Sequence, residues 1–326
     1  MEVTTFWHSL LAQFSQLTTQ YPGVQTGLDF MAVILPLTLL LALPGLCVMA
    51  LLGEVLAVRR QRSSYDKAGR QLAMLGAVLG WLLTLGGAAL LYRQQNVTDI
   101  YPLCALGQLW SWLLVASGTL LVSLHFTLWR TLRAWPRLHR LLGLLAAIAA
   151  YLGAYLLLAV LVAQGQMDAG NPHIETLREL LIPNDDSLLW NAVYYLPALT
   201  IAMAGGLAPL WMLLRRKRDD YGRDHYNAML PWAAAWARNA WLCLWIILLG
   251  CTAWAVLSEA NEAITMPAQD IINHGIRLLL WLIPLLLWNI VARSAVPARH
   301  KFTLLLSQLL AMGFLVPFYM GLTWGY

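Results

Sequence analysis

Long apolar runs separated by short polar connections make up most of this chain. Each run is long enough to cross a hydrocarbon layer of about 30 Å as a helix that rises about 1.5 Å per residue. The pattern therefore predicts an all-α integral membrane protein with eight transmembrane helices and little chain left for a soluble domain. The runs lie near residues 29–53, 71–92, 103–129, 141–164, 188–214, 229–257, 271–292 and 302–323.

The composition supports this interpretation, and the cysteine pattern argues against two classes of cofactor. Hydrophobic residues make up 60% of the chain and charged residues only 11%, whereas a soluble domain carries about 25% charged residues. The four cysteines form neither a CxxC nor a CxxCH pattern. This absence argues against covalent haem c and against a cysteine-bound metal cluster on this chain.

The basic residues indicate the orientation of the helices. Of the 21 Lys and Arg residues, 17 lie in four segments, 57–70, 130–140, 215–223 and 293–301. These are the first, third, fifth and seventh connections, so they share one side, and short basic loops remain in the cytoplasm. We expect periplasmic termini, a multi-pass protein of the bacterial inner membrane, membrane lipid around it and no nucleic-acid partner.

Two sequence echoes predict an internal duplication. The pattern Arg59, Arg60, Arg62 and Tyr65 recurs 156 residues later as Arg215, Arg216, Arg218 and Tyr221, and "PRLHR" at 136–140 is echoed by "PARHK" at 297–301. A four-helix repeat keeps both copies in the same orientation, although topology pressure alone also places basic residues at such positions. The predicted division is an interfacial amphipathic segment at 1–27, four-helix units at 28–165 and 188–326, and a periplasmic connection at 166–187.

The outer end of the seventh run carries the most suggestive polar face. Asp270, His274 and Arg277 are spaced by four and three residues and share one helical face. Quinol oxidation releases two protons; a histidine backed by a carboxylate can accept one, and an arginine can hold a quinone oxygen. We assign His274 and Asp270 to catalysis and Arg277 to quinone binding. Residues at similar depth complete the predicted pocket: Tyr92, Arg93 and Gln108.

Two alternatives remain at these polar positions. Asp270 can serve as a helix cap while its neighbours lie in the interface. Arg238, the deepest ionisable side chain, requires a partner because charge is costly within a membrane. That partner is an acid on another helix, with Glu54 one candidate, or a bound ligand, so we also include Arg238 among the quinone-binding residues.

The histidines do not form a convincing ligand pair for haem b. Bis-histidine ligation needs two rings at matched depth, but His125 and His274 lie near opposite sides of the membrane. His139, His225 and His300 fall in the predicted cytoplasmic loops. We therefore do not expect haem b, and if one is present, His125 or His274 is its first candidate ligand.

Two families share features with the chain. The eight-helix arrangement and "LTIAMAGGLAPLWMLL" (199–214) resemble membrane anchors of the dimethyl-sulfoxide-reductase and polysulfide-reductase type. This resemblance implies a quinol-binding anchor without a prosthetic group, although Tyr92 and Arg93 stand where that family has a histidine. More locally, "ALLGEVLAVRRQRSSYDKAGRQLAMLG" (50–76) and "LHFTLWRTLRAWPRLHRLLG" (124–143) resemble subunit I of cytochrome bd quinol oxidases, without its haem ligands.

These observations favour a membrane subunit of a bacterial respiratory redox complex. It is expected to exchange electrons and protons between menaquinone or ubiquinone and a partner subunit carrying cytochrome c or iron–sulfur clusters. Such a subunit is not catalytic by itself. The alternatives are a transporter built from two parallel four-helix repeats and a structural subunit that only docks redox partners.

Overall fold

The computed structural model describes residues 22–93, 102–168, 182, 189–261 and 268–318, and its regular structure is entirely helical in this part of the chain. Eight helices there are long and apolar enough to span a membrane, as the apolar runs predicted. Their bounds are α1 Pro22–Arg60, α2 Ser63–Arg93, α3 Pro102–Thr127, α4 Pro136–Asp168, α5 Leu189–Asp219, α6 Arg223–Asn261, α7 Ala268–Ala292 and α8 Lys301–Gly313. The eighth candidate span continues to Phe318.

The helices extend well into the basic segments that the sequence suggested were loops. Only Gln61 and Arg62 separate α1 from α2, and residues 220–222 separate α5 from α6. Both turns use left-handed backbone, with φ of 55° at Gln61 and 85° at Gly222, a conformation that ends helices and that glycine adopts easily. The basic side chains therefore project from helix ends. The four basic segments, 57–70, 130–140, 215–223 and 293–301, lie on one side of the molecule, the basic side.

The other predicted boundaries fall largely outside the described residues. Helix α1 already begins at Pro22, within the segment predicted to lie in the interface, and residues 1–21 are not described. Most of the predicted connection at 166–187 also lies outside the described part. The division of the chain at these points stays a prediction.

Helix contacts separate into two groups that follow chain order. Helix α1 contacts α2 and α4, and α3 packs between α2 and α4; likewise α5 contacts α6 and α8, and α7 packs between α6 and α8. Most contacts between the groups join α1 to α5. These two helices also have the most buried spans, with 61% of the most apolar window buried in each, against 17% in α7. The centre of the molecule is therefore the α1–α5 contact.

Small residues allow α1 and α5 to approach closely. A Cβ atom on Gly45 of α1 would collide with the Thr200 carbonyl of α5 and come within 2.7 Å of the Ala204 Cβ. Near the basic side, a Cβ on Gly53 of α1 would lie 2.9 Å from the Gly69 Cα of α2. Close backbone approach through small residues is typical of membrane helix packing, and here it fixes the position of Glu54, the residue after Gly53.

Candidate functional site

Three buried ionisable side chains meet at the basic side of the first helix group. Glu54 comes from α1, His125 from the end of α3 and His139 from the first turn of α4, and their exposed fractions are 9%, 1% and 4%. The α3–α4 connection contains a short 3-10 helix, Thr131–Ala134. Pro136 then starts α4, a position that suits proline because its missing N–H is not needed there. This tight connection brings His139 back beside His125.

Each of the two imidazole rings donates a hydrogen bond to the backbone of the other histidine. His125 Nδ1 lies 3.0 Å from the His139 carbonyl oxygen, and His139 Nε2 lies 2.9 Å from the His125 carbonyl oxygen. A carbonyl oxygen only accepts hydrogen bonds, so both of these ring nitrogens donate. The rings stack with centroids 4.0 Å apart and planes 21° apart. Both orientations and one N–H on each ring are thereby fixed.

Glu54 contacts the remaining nitrogen of His139. Its Oε2 atom lies 2.9 Å from His139 Nδ1, while Arg140 Nε donates to Oε1 across 3.2 Å. Because His139 Nε2 already donates to a carbonyl, the Glu54–His139 contact holds one further hydrogen. This hydrogen either makes the ring an imidazolium that faces a carboxylate, or stays on a carboxylic acid that faces a neutral ring. The pair can accordingly give or take a proton.

His125 Nε2 is the unexplained atom of this cluster. It is buried and has no hydrogen-bond partner among the described residues. A buried polar atom without a partner costs about 1–3 kcal/mol. Since Nδ1 donates to the His139 carbonyl, Nε2 carries a free lone pair in the neutral ring.

A cavity of about 380 Å³ adjoins the Glu54–His139 pair. Trp129 forms one wall: its ring meets the His125 and His139 rings edge to face at centroid distances of 5.0 and 4.9 Å, and its Nε1 donates to Asp66 Oδ1 across 3.0 Å. The lining is completed by Asp66, Ala57, Val58, Leu132, Pro136 and Arg140. The cavity thus combines apolar walls with a few convergent polar groups, the combination found at small-molecule sites.

The donor set is also compatible with a metal ion. One candidate ligand atom from each of Glu54, His125 and His139 lies within 4.8 Å of the others. Two imidazoles and a carboxylate are ordinary ligands of divalent transition metals. The cluster can therefore hold either a proton or a cation between its side chains.

The outer site predicted on α7 is only partly described. The side chains of Asp270, His274 and Arg93 lie outside the described residues. Tyr92 is 77% exposed and Arg277 is exposed, whereas Gln108 is half-buried. The proposed grouping of these six residues stays a prediction.

Arg238 donates hydrogen bonds to amide side chains on its own helix and on α7. Its Nε and Nη2 atoms donate to Asn239 Oδ1 across 3.0 and 2.8 Å, and Nη1 donates to Asn289 Oδ1 across 3.1 Å. The suggestion that Glu54 pairs with Arg238 was wrong, because Glu54 bonds to His139 and Arg140 on α4. Among the described residues, Arg238 makes no ion pair.

The Glu54–His125–His139 cluster was not predicted from the sequence, because the pattern of apolar runs places His139 in a loop. Apolar runs mark where a helix lies in the membrane, whereas α4 begins at Pro136, before its apolar run near 141. One signal was present: a proline followed three residues later by a histidine places that histidine in the first turn of a helix. Fourteen residues separate His125 from His139, and nothing in that spacing indicates that the turn brings their rings into contact.

A second polar group joins the two helix groups on the same side. Gln71 Nε2 of α2 donates to Asp219 Oδ2 of α5 across 2.6 Å, and Arg215 binds both Asp219 oxygens. The Lys67 ammonium lies 5.2 Å from the centre of the Tyr221 ring. Burial, together with the Asp219 carboxylate, raises the pKa of the Tyr221 phenol, so this side chain stays a neutral hydrogen-bonding group near pH 7. The group serves to join the two halves.

A search of family models and of curated proteins found no match to this chain. The resemblances to quinol-linked membrane anchors and to an oxidase subunit have no support from these comparisons and stay hypotheses.

Proposed function

We propose that this protein is an integral subunit of a bacterial respiratory redox complex, in which it exchanges electrons and protons between the quinone pool and a partner electron-transfer subunit. The observation that carries the proposal is the Glu54–His139 pair, which holds one transferable hydrogen at the wall of a cavity. The described part of the chain that holds this cavity has eight candidate membrane spans. Electrons are exchanged with a cytochrome c or iron–sulfur partner subunit.

Quinone chemistry needs the groups that this cavity offers. Reduction of a quinone consumes two electrons and two protons, so its oxygens require hydrogen-bond donors and a proton source within contact distance. Arg140 supplies a donor at the edge of the cavity, and the hydrogen held between Glu54 and His139 supplies one transferable proton. Trp129 offers a flat apolar wall to a planar ring. The volume of about 380 Å³ lies within the range of small-ligand pockets.

The rim of the cavity is the route by which a quinone would reach these groups. Val58 is 58% exposed and Pro136 is exposed, and both line the cavity. Arg140 also lies at the edge, half-buried. Because the cavity is on the basic side, its protons would come from the cytoplasm if the basic connections are cytoplasmic. In this arrangement the site serves quinone reduction with cytoplasmic proton uptake.

We further propose that the chain is a duplicated four-helix unit with both termini in the periplasm. Several contacts between the helix groups support this because they are reciprocal, although the contact of α2 with α5 is not matched by an equally close contact of α6 with α1. Helix α1 packs on α5 and α2 on α6, each joining equivalent helices, while α4 contacts α5 as α8 contacts α1. A parallel repeat about a membrane-normal axis gives this pattern.

The experiment is to measure quinone bound by the complex purified in lipid nanodiscs, with Glu54→Gln and His139→Gln as test variants. We expect the retained menaquinone or ubiquinone to fall about tenfold or more, and quinone-linked electron transfer to fall by about 10²-fold or more. His300→Gln is the matched control, because "PARHK" repeats "PRLHR" and His300 does not line this cavity. Normal quinone content and turnover in both test variants, with normal assembly, would reject this site.

A further inference from the structure

Two half-buried cations near the basic end of α2 have no hydrogen-bond acceptor among the described residues. The lysines and arginines that are half-buried in this part of the chain are Lys67, Arg70, Arg140, Arg215 and Arg238. The last three donate to carboxylate or amide oxygens. No described group accepts from Lys67 or Arg70, and Arg70 Nε is a buried atom without a partner. A charge that is partly withdrawn from water in this way needs a counter-charge.

Aromatic rings from both helix groups lie against these two cations. The Lys67 ammonium is 5.2 Å from the centre of the Tyr221 ring, and the Arg70 guanidinium is 5.7 Å from the centre of the Phe126 ring on α3. A ring face attracts a cation without neutralising its charge. The charge of Arg70 also opposes the rise in the pKa of the Tyr221 phenol. Both cations therefore act at one place, between α2, α3 and the α5–α6 turn.

The charges of the two cations are not balanced by the carboxylates of this region. Lys67 and Arg70 are three residues apart on α2, and like charges on one helical face destabilise the helix. Asp219 accepts from Gln71 and Arg215, and the Asp66 carboxylate accepts from a tryptophan N–H on the far side of the cavity wall. A bound anion is therefore the counter-charge that fits the two cations.

The face of α2 that carries the cations continues towards the middle of the membrane as an apolar stripe. Its members follow Lys67 by seven, eleven, fourteen and eighteen residues, a spacing that keeps them on one side of a helix. Arg70 and Trp81 are about 16 Å apart along the helix axis, which is about half of the hydrocarbon thickness. The last three members are 40%, 43% and 65% exposed. The stripe is Met74, Val78, Trp81 and Leu85.

We propose that Lys67 and Arg70 bind the phosphate group of an anionic phospholipid, whose acyl chain lies along the apolar stripe of α2. Basic pockets between membrane helices bind anionic headgroups in this way. The stripe favours a lipid over a soluble phosphate, because it offers apolar contact directly below the cations. The lipid also contacts both helix groups, through Phe126 and Tyr221.

The lipid site is separate from the proposed quinone cavity. Neither Lys67 nor Arg70 lines that cavity, so the inference does not rest on the proposed function. The site also differs from the other basic residues of the same side. Arg59 and Arg62 have the same spacing but are exposed, so water already solvates their charges. They provide a matched control.

The test is a titration of the delipidated full chain with dioleoylphosphatidylglycerol, in which native mass spectrometry counts the bound lipid. Wild type and the control Arg59→Gln/Arg62→Gln should bind one phosphatidylglycerol with equal affinity. The affinity of Lys67→Gln/Arg70→Gln should fall by about 30-fold, because two charges near the phosphate are lost. Equal affinities in the two double variants would overturn the proposal. So would equal affinity of wild type for dioleoylphosphatidylcholine, or displacement of the lipid by inorganic phosphate, which would indicate a site for a soluble anion.

A measurement on wild type decides the matter if Lys67→Gln/Arg70→Gln does not fold. Phosphatidylglycerol with a photoactivatable group in its acyl chain is added to the full chain in phosphatidylcholine nanodiscs. We expect label within residues 74–85, and we expect excess dioleoylphosphatidylglycerol to suppress it. Label outside α2, or label that excess dioleoylphosphatidylcholine suppresses equally well, would show that no specific anionic lipid lies on this face.

Discussion

His125 and His139 each donate a ring N–H to the backbone carbonyl of the other, across 3.0 and 2.9 Å. This reciprocal pair ties the end of α3 to the start of α4, so the turn between them has little freedom. It also leaves one nitrogen on each ring that does not bond to a carbonyl: His139 Nδ1, which faces Glu54, and His125 Nε2. The chemistry that we propose for this protein depends on that arrangement.

The predicted topology can be checked with reporter fusions. Fusions after residue 65 and after residue 221 should both report the cytoplasm, because both follow basic helix ends and short basic segments stay inside. Eight spans then place a fusion at residue 326 in the periplasm. A split result for the first two fusions would contradict the orientation and the parallel repeat together.

The α1–α5 contact should tolerate no side chain at Gly45. Gly45→Leu would drive its side chain into the Thr200 carbonyl and Ala204, and such overpacking should cost about 3 kcal/mol or more. Gly86→Leu is the control, since nothing lies within 4 Å of a Cβ at that exposed position. Thermal unfolding in nanodiscs should show a lower midpoint for Gly45→Leu only. Equal midpoints for the two variants would argue against this central contact.

The number of spans could be read from the sequence, whereas the candidate site could not. Apolar runs of about 20 residues identify membrane helices because the bilayer requires that length. Glu54, His125 and His139 meet only because Gly53 allows α1 to approach α2 and because Pro136 starts α4 immediately after a tight turn. Such tertiary contacts leave no periodic signal. The helix ends inside the basic segments could not be predicted either, because positive charge indicates the side of the membrane but not where a helix ends.

The predicted outer site on α7 can be tested independently of the cluster. If His274 is the proton acceptor of a quinol there, His274→Ala should slow quinol-dependent electron transfer by about 10²-fold or more. Arg277→Ala should weaken quinol binding in the same assay, because a hydrogen bond to the quinone oxygen is lost. Unchanged turnover in both variants, each assembled normally, would leave these residues as interfacial side chains.

The haem content of the isolated subunit is a further check. We expect a pyridine haemochrome assay to find neither covalent haem nor haem b. The buried His125 ring packs against the rings of His139 and Trp129, which leaves no space for a porphyrin beside it. One equivalent of haem b would contradict this expectation, and loss of that haem in His125→Ala or in His274→Ala would identify its ligand.

The central claim is that quinone binds beside Glu54 and His139 on the basic side. Photolabelling of the complex with an azidoquinone, followed by peptide mapping, tests it most directly. The account predicts labelling at Val58 or within residues 129–140, which line or adjoin the cavity, and loss of this label when excess unlabelled quinone competes. If the label that unlabelled quinone displaces is instead confined to residues 268–281, in the half of α7 far from the basic side, the claim is contradicted.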